Sequence, residues 1–177
     1  KEGTCDLPFI FPDHPKRQIC LVARSELPPT ALLIGDSHAV HAYWGLANAF
    51  AQIDQNLKVT GRGACVPFLG YTSPNNRYEC QPHVDEILTS VARSQEVRSV
   101  VLVFRGRYIG NQTSPDEYSK FLRAMERTLA LLSSAGKNQS AESITNNTVT
   151  IASNNSTPPP TPTPTPTSSS TTSNGSC

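Results

Sequence analysis

Four consecutive residues, Gly35-Asp36-Ser37-His38, put a carboxylate, a hydroxyl and an imidazole directly after a glycine that permits a tight turn. They stand between a short apolar run, Thr30-Ala-Leu-Leu-Ile34, and a stretch where Val40, Tyr43, Trp44, Ala47 and Phe50 recur at helical spacing. A serine that opens a helix has its hydroxyl beside backbone N–H groups without intrahelical partners, at the positive end of the helix dipole. Those N–H groups can stabilise an oxyanion during acyl transfer, which makes Ser37 a candidate nucleophile. Asp36 can tie the turn by accepting backbone hydrogen bonds. The plainer use of the same residues is that Asp36 or Ser37 simply caps the helix.

Cysteines form the second chemistry-bearing set. Cys5 and Cys20, and again Cys65 and Cys80, each bracket 14 residues that include prolines, as locally stapled loops do; Cys177 stands apart. Four cysteines admit three pairings, of which the sequential one needs the least chain rearrangement. Zinc is the competing reading, but there is no CxxC and no paired Cys/His spacing, and no spacing implies a metal or organic cofactor. Disulfides would place the chain in an oxidising, extracytoplasmic compartment. Sequons begin at Asn111, Asn138, Asn146, Asn154, Asn155 and Asn174, mostly in Asn/Ser/Thr-rich sequence where chance matches are common.

The elements that must position the serine turn alternate along the chain. Thr30–Ile34 reads as a buried strand, and an amphipathic helix follows from about His38 to Ile53. Leu57–Thr60 is a possible second strand. Val84, Ile87, Leu88, Val91 and Ala92 define a helix over 83–94, and Ser99–Phe104 is another buried strand. The best-marked helix runs from Pro115 to about Ala135, with Ser114 as cap, Glu117 completing Ser-x-x-Glu and Gly136 ending it. Strands alternating with helices imply βαβ units and a mostly parallel sheet in a three-layer α/β/α arrangement. In such sheets ligands sit beyond the carboxyl ends of the strands, where Gly35 to His38 lies.

Composition divides the chain. Of 177 residues, Lys+Arg 15 against Asp+Glu 14 leave a net charge of +1, which gives no electrostatic case for nucleic acid. No apolar run approaches the ~18 residues that span a bilayer. Glu142 is the last charged residue, and from Ser153 the sequence is almost entirely Ser, Thr, Asn and Pro. The expected organisation is a domain over residues 1–137, an uncertain 138–152 with one strand-like alternation at Thr148–Ile151, and a disordered tail over 153–177. Beginning at Lys1, the chain reads as an excised domain or mature fragment.

Leu32-Leu-Ile-Gly-Asp-Ser-His-Ala-Val-His41 resembles the first signature block of SGNH hydrolases, in the form carried by periplasmic domains fused to acyltransferase-3 membrane proteins. Cys65-Val-Pro-Phe-Leu-Gly70 followed by Cys80 is similar to that family's stapled loop, and Val100–Arg105 to its third strand, here ending in Arg; Cys5 and Cys20 fit the same pattern. The resemblance covers about residues 1–137. It implies a flavodoxin-like parallel sheet, incomplete here, and a serine-dependent transfer or hydrolysis of O-acyl (acetyl) groups on a cell-surface polysaccharide. By it, Ser37 is the nucleophile and its own N–H part of the oxyanion hole, with a second donor from the loop at Gly63 and Ala64. Arg105 would contact substrate or transition state, or else sit in a strand-end ion pair, while Gly35, Asp36 and His38 support the turn. The implied partners are a transmembrane acyltransferase domain that delivers the acyl group and the polysaccharide acceptor; the implied location is periplasmic or extracellular, membrane-tethered in the parent protein.

One block departs from the family. Its members carry an Asp-x-x-His near the C-terminus that supplies the base, whereas here the last Asp is Asp116 and no histidine follows His83. His38 and His41 are poorly placed for the usual triad, and His83 is either a base reaching in from the loop after Cys80 or a helix-start residue. A non-catalytic glycan- or partner-binding domain, or a truncated inactive fragment, is the alternative expectation.

Overall fold

The computed structural model describes residues 18–74, 79–106, 114–145 and 148–153. Among them the elements run β1 (Gln18–Val22), β2 (Ala31–Gly35), α1 (Ser37–Gln52), β3 (Leu57–Arg62), α2 (Cys80–Arg93), β4 (Ser99–Arg105), α3 (Pro115–Ser134), β5 (Asn138–Thr145) and β6 (Thr148–Ser153). The strands form one sheet in the order β1-β3-β2-β4-β5-β6. Its four inner strands are parallel, and β1 and β6 close the edges antiparallel.

The apolar runs of β2 and β4 are continuous because both faces of the sheet are covered. Leu32, Ile34, Val100, Leu102 and Phe104 point into one core, built with Val84, Ile87 and Leu88 of α2 and Phe121, Ala124 and Leu132 of α3. Ala31, Leu33, Val59, Val101 and Val103 point the other way, onto Ala39, Tyr43 and Ala47 of α1. The result is the expected three-layer α/β/α arrangement around a mostly parallel sheet. Phe68 meets Phe104 and Phe121 edge-on with ring centroids 5.1 Å apart, and this knot anchors the loop after β3 on the α3 side. Thr128, on the buried face of α3, accepts the Leu69 N–H at 2.8 Å and donates to the Ala124 carbonyl at 2.8 Å, holding the same loop.

The local signals act as the residue types predict. Ser114 Oγ accepts the Glu117 N–H at 3.3 Å, Pro115 opens α3, and Gly136 (φ +70°) closes it. Two strands lie outside the periodic signal. β1 is a five-residue segment that packs Ile19 and Leu21 on the α1 side. β5 begins at Asn138 with the polar sequence Asn-Gln-Ser-Ala-Glu-Ser-Ile-Thr, and its parallel ladder to β4 supplies what its side-chain pattern does not announce. The Thr148–Ile151 alternation lies in β6. α2 starts at Cys80 rather than residue 83, because Pro82 falls in the first turn, where its missing N–H costs nothing. Cys5, Cys177, the sequons at Asn111, Asn146, Asn154, Asn155 and Asn174, and the tail from residue 154 lie outside the described residues.

Candidate functional site

Parallel β2, β3 and β4 present their carboxyl ends along one edge, and the register sets Gly35 beside Gly61 on one flank and Val103 on the other. Glycine is required at both positions. A Cβ on Gly35 would stand 1.9 Å from the Val103 carbonyl oxygen, and one on Gly61 (φ +148°) 1.9 Å from the Gly35 carbonyl oxygen. The three strands thus pinch together just where the chain leaves β2 for α1. A glycine inside a strand-like run is itself a signal of such close approach, and Gly61 is the positioning residue that hydrophobic periodicity passes over.

Asp36 is the N-cap of α1 and 1% exposed. Its Oδ1 accepts the His38 N–H at 2.8 Å and lies 3.1 Å from His38 Nδ1; its Oδ2 accepts the Arg105 N–H at 2.9 Å. One carboxylate therefore caps the helix, orients an imidazole and ties the end of β4 to the turn. Because Asp36 takes the cap, Ser37 is the first helical residue. Its side chain is exposed and makes no hydrogen bond among the described residues. Its backbone N–H belongs to the first turn, which has no intrahelical acceptor for it.

Gly63 and Ala64 follow β3 on this edge; Ala64 holds a left-handed φ of +69°, and the Cys65 N–H closes the turn on the Arg62 carbonyl at 3.1 Å. Cys65 is disulfide-bonded to Cys80, which fastens this turn to the first residue of α2. Cys20 is also in a disulfide, and the Cys5 expected to pair with it lies outside the described residues. Arg105 ends β4 with an exposed side chain. The topology thus brings Asp36, Ser37, His38, Gly63, Ala64 and Arg105 to one edge of the sheet. It does not present His83 on a loop: His83 is the fourth residue of α2, so the segment after Cys80 is helical. The His38 ring is partly buried and meets His41 edge-on, centroids 6.1 Å apart.

Ser37 is exposed at the carboxyl edge of the sheet. A cavity of about 590 Å³ lies elsewhere, between the Gly70–Pro74 loop and Glu117, Lys120, Arg123 and Arg127 of α3. Among the described residues no three His, Cys, Asp or Glu side chains gather as metal ligands.

A parallel-centred α/β/α domain with an unencumbered serine opening the helix after an inner strand defines a class in which chemistry is done at the carboxyl edge of the sheet. A family model described as "SGNH domain (fused to AT3 domains)" matches residues 4–139, and the chain belongs to that family. Comparison with curated proteins and with solved structures finds no match. The family places the chain among acyltransferase- or hydrolase-type domains in a membrane-protein context, although among the described residues no helix is long and apolar enough to cross a membrane.

Proposed function

We propose that this domain moves O-acyl groups, acetyl in the first instance, on or off a cell-surface polysaccharide through Ser37, outside the cytoplasm and in partnership with a transmembrane acyltransferase domain. The observation that carries the reading is the division of labour at the turn: Asp36 does the capping, and the Ser37 hydroxyl is left exposed beside first-turn N–H groups. Ser37 Oγ attacks the acyl carbonyl carbon. The tetrahedral oxyanion is held by the Ser37 N–H and an N–H of the Gly63–Ala64 turn, and the leaving oxygen departs with a proton. Water or a sugar hydroxyl then takes the acyl group from the serine. Arg105 is positioned at the same edge to meet the acceptor or the developing charge.

The serine proton needs a base, and the histidine this turn offers is His38. A carboxylate only accepts, so Nδ1 carries the hydrogen toward Asp36 Oδ1 and Nε2 is the basic nitrogen. Consecutive side chains diverge by about 100° around a helix, so a bridging water has to carry the proton from Oγ to Nε2. A second reading, binding without turnover, holds if no base reaches Ser37; within these 177 residues no Asp-x-x-His follows it.

Intact-mass analysis after exposure to a fluorophosphonate separates the two. One adduct on the folded wild type that is absent from Ser37→Ala is the expected result. An adduct that survives in Ser37→Ala would remove Ser37 from the mechanism, and a folded wild type without any adduct would leave the binding reading.

A further inference from the structure

The single tryptophan of this chain lies on the surface: Trp44 is 69% exposed. We infer that Trp44 is a stacking platform for a pyranose ring of the glycan whose acyl group Ser37 handles, an inference that rests on the proposed polysaccharide substrate. Ser37, His41, Trp44 and Asn48 fall at i, i+4, i+7 and i+11 of α1, one stripe of the helix, and all four are exposed. Seven residues at helical rise put Trp44 about 10 Å from Ser37 along the axis, roughly the length of two linked sugar rings. Cα–Cβ bonds of a helix lean toward its N-terminus, so the Trp44 side chain leaves the backbone on the serine side.

The ring is also held. Buried Tyr43 meets it edge-on with centroids 5.1 Å apart, which braces one side of the indole while the rest faces solvent. Apart from half-buried Val40 one turn back, its neighbours on the helix surface are small or polar: His41, Gly45, Ala47 and Asn48. Gly45 and Asn48 are exposed, a Cβ on Gly45 would touch nothing within 4 Å, and His41 lies between Trp44 and the serine. A protein-docking patch surrounds its aromatic anchor with further apolar area. A shelf made of a braced indole with one half-buried valine and otherwise small or polar neighbours instead matches the C–H face of a sugar, which needs one flat apolar surface and polar neighbours for its hydroxyls. His41 and Asn48, on either side of the indole, are side chains that can donate to and accept from such hydroxyls. The exposure of Ser37, His41, Trp44 and Asn48 along one stripe fits the same occupant, since a polymer can lie along α1.

Because Trp44 is the only tryptophan, its fluorescence reports on this shelf alone. Wild type is titrated with maltotriose, cellotriose, chitotriose and mannotriose, following indole emission, with affinity measured by calorimetry. At least one trisaccharide is expected to shift or quench the emission. Covering one indole face amounts to about a tenfold weakening of that trisaccharide when Trp44→Ala is tested, with Trp44→Phe between. Tyr118→Ala, which removes an exposed aromatic on α3, leaves the affinity unchanged and controls for generic stickiness. Circular dichroism confirms that each variant is folded. Silence across all four sugars overturns the assignment. So does a Trp44→Ala chain with unaltered sugar affinity whose only change is in self-association. A sugar response without a fluorophosphonate adduct keeps the shelf and removes the serine reading; an adduct without a sugar response does the reverse.

Discussion

Asp36→Asn tests whether the serine turn is held by a cap or by a bridge. For capping alone the change costs nothing, since Asn and Asp cap helices about equally well. Here the two carboxylate oxygens serve two segments, Oδ1 the His38 N–H at 2.8 Å and Oδ2 the Arg105 N–H at 2.9 Å. An amide has one oxygen, so whichever way it turns, one of these N–H groups faces an NH2. Asp36 is 1% exposed, and water does not replace the missing acceptor. An unsatisfied buried donor costs about 1–3 kcal/mol, and the charge assistance lost from the remaining bond brings the sum to about 2–4 kcal/mol. Against a total of about 5–15 kcal/mol for an ordinary domain, that is a large fraction. In urea, with a slope of about 2 kcal/mol per molar, the midpoint falls by about 1–2 M with the slope itself unchanged. A midpoint equivalent to within ~0.5 kcal/mol of wild type would refute the bridge, leaving Asp36 a helix cap and nothing more.

Gly35→Ala drives a methyl into the Val103 carbonyl and is expected to abolish the native circular dichroism, whereas Gly45→Ala, in open space within α1, stabilises by about 0.5–1 kcal/mol in the same urea assay. Thr128→Val keeps the shape but leaves the Leu69 N–H without its acceptor, and a loss of about 1–3 kcal/mol is expected. A neutral result would show that the aromatic knot, the Cys65–Cys80 disulfide and the Gly70 N–H bond to Asp85 hold the loop without it. Burial raises the phenol pKa of Tyr43 and Tyr71 above the ordinary 10.0, with the charge of Glu117 adding to the rise at Tyr71. Neutral phenols favoured by the fold contribute stability that is complete below the unfolded value and lost as pH rises through the folded one, so the unfolding midpoint should fall above pH 10.0. The Tyr71 hydroxyl is buried without a partner among the described residues, so Tyr71→Phe should be neutral or stabilising near neutral pH and should shallow that alkaline fall. An equally steep fall would place the titrating group elsewhere.

How much could be read beforehand follows the strength of each side-chain pattern. β2, β4 and α3 were legible because their burial is written in residue type: apolar on both strand faces, and on one helix stripe behind a Ser-x-x-Glu box. β5 was not, because a strand can be held by its neighbour's backbone while its own side chains stay polar, and Asn138–Thr145 pairs with Ser99–Arg105 in that way. β1 is too short for a period and was visible only as the cysteine at its centre. The membership of the serine edge was legible in the order of motifs, each at a strand's carboxyl end. The contact that fixes it was not: the Asp36 carboxylate reaches the Arg105 N–H across 69 residues of sequence, and backbone donors carry no residue signature.

That contact also bears on the choice between a capping turn and a functional one. Read as sequence, Asp36 and Ser37 compete for a single role, and if the serine capped the helix its hydroxyl would be committed to a backbone N–H. In the structure the carboxylate holds the cap position, and with its second oxygen it also fastens β4 beneath the turn. The serine is thereby moved one residue into the helix, where its hydroxyl has no structural duty among the described residues. Beneath the turn, Gly35 and Gly61 let the three strands approach more closely than any side chain at either position would allow. A turn whose only task was to start a helix would need neither the second carboxylate bond nor the paired glycines. Capping by Asp36 therefore leaves the Ser37 hydroxyl uncommitted, which is what the proposed acyl transfer requires of it.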